Sequence, residues 1–118
     1  MYASIRKYTI LPGTAEEFLR RVQRGFVPLI RQAAGFRAYY VLQVGDDEVV
    51  SVSIFDSQAG AEESVRRAAD WVAKNLSAFI QGQPEVKVGH VRIYQLKGGQ
   101  TAEREGRLRE QRFTDLNP

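Results

Sequence analysis

The 118-residue chain has no cysteine, a single histidine and a single tryptophan. Without cysteine there is no thiolate nucleophile, no CxxC redox pair and no iron–sulfur ligation, and one histidine cannot build a His-rich metal cluster. No metal site is expected on these grounds. Disulfide and metal staples are excluded too, so the core must hold itself together, which a chain of this length does by burying roughly 60–70% of its unfolded surface. Long apolar runs are also missing: none approaches the ~18–20 residues of a membrane span. The first residues lack the charged-then-apolar layout of a signal peptide, so the expected location is cytoplasmic, with no membrane partner. Charge of one sign is scarce as well. Seventeen basic residues, thirteen of them Arg, stand against 14 acidic ones for a net +3, and they are not gathered as a nucleic-acid footprint requires.

What is present is periodicity. Met1 to Ile10 alternates loosely through Tyr2, Ile5, Tyr8 and Ile10 and stops at Pro12-Gly13, which reads as a strand. Thr14-Ala15-Glu16-Glu17 has the form of a capping box, with the Thr14 hydroxyl accepting from an early helical N–H and Glu17 reaching back. Phe18, Val22, Phe26, Leu29 and Ala33 then follow at helical spacing, with Arg20, Arg24 and Arg31 on the other side. Pro28 removes one helical hydrogen bond, and with Gly25 just before it predicts a bend; Gly35 ends the helix. Phe36–Val44 and Glu48–Phe55 are β-rich runs around Gly45-Asp46-Asp47, a hairpin. Asp56 or Ser57 caps a second helix, whose stripe is Ala61, Val65, Ala68, Val72, Leu76 and Phe79. Gly82 and Pro84 end that segment. Val86 to Leu96 reads as the last strand, with a bulge at Gly89 where its apolar phase flips.

The order βαββαβ with right-handed crossovers predicts an α+β fold, the ferredoxin-like sandwich with both helices on one face of the sheet. The other face should be polar if solvated. Instead Phe36, Ala38, Tyr40 and Leu42 alternate with Tyr39 and Val41, and Val49 and Phe55 with Val50, Val52 and Ile54, so both faces are apolar. A homodimer covering the open face follows as the expectation. Composition changes at Lys97, which divides the chain into a folded domain over residues 1–96 and a charged tail over 97–118. In the tail Glu103–Arg107 and Glu105–Arg109 have i,i+4 spacing, and Leu108, Phe113 and Leu116 are its apolar handles. A short helix and a solvated tail both fit.

Four stretches carry a family resemblance: Gly35-Phe36-Arg37-Ala38-Tyr39-Tyr40, Ser51 to Ser57, Ala59 to Ala61, and Ala68 to Leu76 with its Ala-x-Trp. Over residues 1–96 the chain resembles the antibiotic biosynthesis monooxygenase-like branch of the dimeric α/β barrels. That resemblance implies two ferredoxin-like sheets paired into a barrel-like dimer, with a ligand pocket between sheet and helices in each subunit. It also implies one of several activities, among them cofactor-free oxidation of polycyclic phenols, quinol oxidation, haem degradation and lactone isomerisation; many relatives have no known activity, and fold alone does not choose. Haem degradation in this family uses a His on the second helix and an Asn on the first strand. Helix two has no His and strand one no Asn, although Trp71 matches.

A cofactor-free oxygenase fits the sparse inventory. An ionised phenol or hydroquinone passes an electron to O₂ by itself, so the protein need only bind a small aromatic molecule, exclude water and stabilise the anion. The catalytic candidates are His90, Tyr39 and Tyr40; the substrate-binding candidates are Trp71, Asn75, Ser51, Ser53 and Arg92. Trp71 and Asn75 are one helical turn apart, at the edge of the apolar stripe. Each has a plainer reading: Trp71 as packing that seals the helix flank, Asn75 as a local hydrogen-bonding or solvated residue, and His90 as exposed on an edge strand. His90, Arg92 and Tyr94 share one strand face and read equally as interface. Arg6 on strand one is similarly open. Tyr39 and Tyr40 point to opposite faces, and the sequence does not say which faces the pocket. The alternative function is a non-catalytic ligand-binding or regulatory protein of the same fold. An RNA-recognition module shares the element order, but Val49 to Phe55 lacks the Lys/Arg-Gly-Phe start and stacking pair.

Overall fold

The computed structural model describes residues 1–99. Its elements run β1 (Tyr2–Ile10), α1 (Ala15–Arg21), a π-helical turn (Val22–Phe26), α2 (Val27–Arg31), β2 (Phe36–Val44), β3 (Glu48–Phe55), α3 (Gln58–Asn75) and β4 (Ile80–His90). The strands form one antiparallel sheet in the order β2-β3-β1-β4, with the helices on one face: the ferredoxin-like α+β sandwich. The charged segment over 100–118, expected as helix or tail, lies outside the described residues. Among the described residues no helix is long and apolar enough to cross a membrane.

The first helical segment departs from its expectation in an instructive way. Pro28 has no N–H to give the Arg24 carbonyl. In place of a simple bend, the chain widens just before the proline, and the Val27 N–H donates to the Val22 carbonyl five residues back. The extra residue in the turn shifts the helix phase. Phe18, Val22 and Phe26 are buried as the spacing predicts, but Ile30 continues the stripe and Leu29 is 46% exposed. The capping box at Thr14 does not form either. Its hydroxyl donates to the Leu11 carbonyl at 2.6 Å, and Glu17 pairs with Arg20 and Arg21.

The second half follows the pattern more closely. Ser57 caps α3 by accepting from the Gly60 N–H at 3.0 Å, and Ala61, Ala68 and Leu76 are buried along the expected stripe. The hairpin joins β2 to β3 in register from Ala38↔Ile54 to Val44↔Glu48, with an irregularity between Phe36 and Ala38. The last strand is displaced from its expected range. β4 begins at Ile80 and ends at His90, and Gly82 and Pro84 lie inside it. The bulge expected at Gly89 is absent, since Gly89 pairs regularly with Ala3; the register slips instead opposite Tyr8, between Lys7↔Glu85 and Thr9↔Gln81. Gly82 adopts φ +73°, which suits the residue without a Cβ, and Pro84 is tolerated because β4 is an edge strand.

Alternation then sorts the sheet into two faces. Ser4, Arg6, Tyr8 and Ile10 of β1 and Val49, Ser51, Ser53 and Phe55 of β3 are buried beneath the helices. Ile5, Val50, Val52 and Ile54 point the other way, joined through the pairing register by Ala38, Tyr40, Leu42 and Val44 of β2. Among the described residues no element packs on that apolar face.

Candidate functional site

The helix-side face of the sheet is unusual in its central rows. Where the core would be expected to be wholly apolar, β1 and β3 place Ser4, Arg6, Tyr8, Ser51 and Ser53 side by side, with Ser4 opposite Ser53 and Arg6 opposite Ser51. Tyr39 reaches the same row from β2 as the partner of Ser53. The lid over these groups is apolar and aromatic: Phe18, Val22 and Phe26 from the first helical segment and Ala68, Trp71, Val72 and Leu76 from α3. The cavity between floor and lid measures about 20 Å³, room for about one water molecule.

The Ser64 hydroxyl donates to the Ala61 carbonyl at 2.6 Å, so its oxygen is left to accept, and Ser4 donates to it at 3.1 Å. Arg6 is only 5% exposed. Its Nε donates to the Tyr8 hydroxyl at 2.6 Å, which leaves the Tyr8 proton available to a third group. Among the described residues the guanidinium has no carboxylate partner and no second side-chain acceptor. Leaving a cation buried without an anion is costly, so this arrangement favours a negatively charged guest. Burial pushes the Tyr8 phenol up from the ordinary tyrosine value, against the opposing pull of Arg6. Burial also pushes Tyr39 well above it, reinforced by Tyr8 and opposed by a hydrogen bond to Ser51 and by Arg6. Both phenols are therefore neutral hydrogen-bond donors at neutral pH, not bases.

The aromatic lid is tightly fitted. The Phe26 ring lies 5.7 Å from that of Tyr39 and 5.6 Å from that of Trp71. The Trp71 indole rests on Gly25 in the π-helical turn, so close that a Cβ there would stand 2.5 Å from Cζ2. The widened turn, the glycine and the tryptophan are thus one packing unit. Besides a groove of about 370 Å³ where Trp71 and Asn75 meet Arg20, Arg21 and Arg24, two further grooves flank the cavity. One of about 580 Å³ runs between the first helical segment and β2 and shares Val22, Tyr39 and Val41 with the cavity. The other, about 370 Å³, lies between α3 and the β4 bulge and shares Arg6 and Val72.

Of the residues singled out in the sequence, the structure brings Tyr39, Trp71, Ser51 and Ser53 to the cavity wall. It places the other four elsewhere. Tyr40 is on the open face and 60% exposed, because it follows Tyr39 by one residue on a strand. Asn75 sits outside the cavity, on the wall of a groove it shares with Trp71, its amide donating to the Trp71 carbonyl at 2.8 Å and its own carbonyl accepting from Arg21. His90 closes β4 and stacks on Tyr2 at 4.7 Å, exposed and remote from Tyr39. Arg92 follows the end of that strand and is exposed. Sequence reasoning left Arg6 open and passed over Ser4, Tyr8 and Ser64. The signal was period-two spacing on β1, where Ser4, Arg6 and Tyr8 fall on one face. Among the described residues no three His, Asp or Glu side chains cluster as a metal site would need.

Comparison with known proteins is decisive on the family. A family model described as antibiotic biosynthesis monooxygenase matches residues 1–69. The chain belongs to this family. Among solved structures of the same fold, a protein of unknown function from Nitrosomonas europaea is 19% identical, with a TM-score of 0.68 over 80% of this chain and 92% of that one. A monooxygenase of Streptomyces coelicolor, in complex with the ligand nanaomycin D, is 19% identical with a TM-score of 0.65, covering 80% and 90%. SnoaB, a cofactor-independent oxygenase from Streptomyces nogalater, is 14% identical with a TM-score of 0.61, covering 79% and 94%. No curated protein matches the chain. At these identities the structures establish the antibiotic biosynthesis monooxygenase fold, and the chemistry rests on the residues themselves.

Proposed function

We propose that this chain is a small-molecule-binding protein that pairs with a second copy into a dimeric α/β barrel and acts as a cofactor-independent monooxygenase on a phenolic or quinol substrate. The observation that carries the reading is the buried, carboxylate-free Arg6 beside the neutral phenols of Tyr8 and Tyr39, roofed by aromatic side chains. A phenolate whose oxygen reaches this pair has its charge balanced by Arg6 and accepts from Tyr8. One electron passes from the bound phenolate to O₂, the resulting radical pair joins in a C–O bond, and loss of water from the hydroperoxide leaves the quinone. The oxidation of the ring and the reduction of O₂ balance without a metal or flavin. The dimer rests on the apolar open face of the sheet, where Ile5, Tyr40, Leu42 and Val44 are each at least 40% exposed in the single chain.

A second reading has its own support. The cavity of about 20 Å³ holds a water and not an aromatic ring, so any larger guest must displace side chains. A floor filled in this way suits a non-catalytic ligand-binding or regulatory protein. Oxygen uptake across a panel of hydroquinones and anthrone-type phenols, run beside calorimetric titration of the same compounds, decides between them. Uptake with stoichiometric quinone supports the oxygenase; saturable binding with no uptake across the panel supports the regulatory protein.

A further inference from the structure

The groove between α3 and β4 is the place where the buried cation comes nearest to an open surface. Its roof is made by the small side chains Ala69 and Ala73 of α3, both exposed, and its far wall by the β4 bulge at Gly82 and Pro84. The register slips opposite Tyr8, and the groove beside that bulge measures about 370 Å³. Arg6 lines this groove and the interior cavity alike, and among the described residues it has only the Tyr8 hydroxyl as a side-chain partner. Guanidinium N–H groups are acceptor-less donors, and only one of five is used on a side chain, so the unmet need at this spot is for an oxygen anion. The groove has the size of a small-ligand site, whereas the cavity behind it does not.

We propose that the α3–β4 groove is the binding site for a small aromatic oxyanion, whose charged oxygen docks on Arg6 and whose ring lies against Ala69, Ala73 and Pro84. This rests on the reading of Arg6 given above and specifies where the ligand sits and in what ionic form it is taken. The groove on the β2 side, though larger, meets Tyr39 and the solvated Arg31 but not the buried Arg6, whose guanidinium is the one buried, among the described residues, without an anion.

The test is calorimetric titration of the full chain at pH 8 with 1-naphthoate, with ionised 4-nitrophenol, and with the neutral isostere 1-naphthamide. At least one anion should bind about tenfold or more tighter than the amide, the factor expected for a charge-assisted hydrogen bond, and the better of the two names the oxyanion as carboxylate or phenolate. Arg6→Met should remove the preference. Ala73→Phe fills the groove from an exposed position and should weaken anion binding at least about tenfold, while Gln23→Trp, which fills the β2-side groove, should leave it unchanged. Circular dichroism establishes that each variant is folded; if Arg6→Met is not, the Ala73 and Gln23 variants decide alone. Equal affinity for anions and amide, or wild-type affinity in Ala73→Phe, or loss of affinity in Gln23→Trp overturns the proposal. Failure of the oxygenase reading looks different: Arg6-dependent binding in the groove with no oxygen uptake keeps this site, and oxygen uptake indifferent to Ala73→Phe rejects it while keeping the activity.

Discussion

The contact between Gly25 and Trp71 can be tested by adding one methyl group. Gly25 is inside a helical turn and has no positive φ, so alanine should on propensity alone stabilise the helix by about 1 kcal/mol. Its Cβ, however, would stand 2.5 Å from the Trp71 Cζ2. Carbon atoms settle near 3.5–4.0 Å, so the indole must retreat by about 1 Å. The Phe26 ring, 5.6 Å away, limits that retreat. Overpacking of this kind costs about 1–3 kcal/mol, which outweighs the propensity gain and leaves Gly25→Ala destabilised by about 1 kcal/mol net. In a Trp71→Leu background the clash disappears, and the same Gly25→Ala change should stabilise by up to about 1 kcal/mol. The sign reversal corresponds to a coupling of about 2 kcal/mol in a double-mutant cycle. Urea unfolding followed by far-ultraviolet circular dichroism measures it; fluorescence is unsuitable because Trp71 is the sole tryptophan. If Gly25→Ala has the same effect with and without Trp71, the packing unit assigned to the π-helical turn is wrong.

Other expectations follow from the same geometry. Ser57→Ala should cost about 1 kcal/mol in urea unfolding because it orphans the Gly60 N–H, whereas Thr14→Ala, whose hydroxyl caps nothing, should cost less than about 0.5 kcal/mol. The raised phenols of Tyr8 and Tyr39 remain neutral in the fold while unfolded tyrosine ionises near pH ~10. Their contribution to stability is therefore complete below that pH and lost as pH rises from the unfolded toward the folded values; a urea midpoint that does not fall above pH 10 contradicts this. Leu42→Glu places a charge on the apolar open face and should convert a dimer in sedimentation velocity into a folded monomer. A monomeric parent protein at micromolar concentration refutes that reading.

Helix α3 and the hairpin were legible because one period governs each of them and the turn chemistry agrees: Ser57 for the cap, Gly45 for the reversal. The first helical segment was less so. A single extra residue in its widened turn moves the buried position from Leu29 to Ile30, and no spacing rule anticipates an inserted residue. At β4 the sequence offered Gly82 and Pro84, which mark a stop in most contexts, but an edge strand absorbs both in a bulge, so the strand started earlier and Arg92 fell beyond its end. The two faces of the sheet were readable from their shared apolarity, yet the orientation of Tyr39 and Tyr40 was not, since the irregularity near Arg37 resets the alternation from Phe36. Arg6 was the hardest residue to place. Alternation put it on the same face as Tyr8 and Ile10, and a charged side chain on a core face contradicts the expectation that such faces are apolar, so its burial emerges only once Ser51 is set opposite it.

The floor of the cavity also bears on how such a protein could be redesigned. Its backbone side is built from four serines, the smallest polar side chains that can line a sheet and helix, and its volume is taken up by Tyr39, Phe26 and Trp71 projecting over them. Capacity is therefore a matter of side-chain length and not of strand or helix position. Trimming Tyr39 or Trp71 would enlarge the chamber step by step while Arg6 and Tyr8 keep their hydrogen bond. Chamber size and the buried positive charge are in this way held by separate residues, and a change in one need not disturb the other.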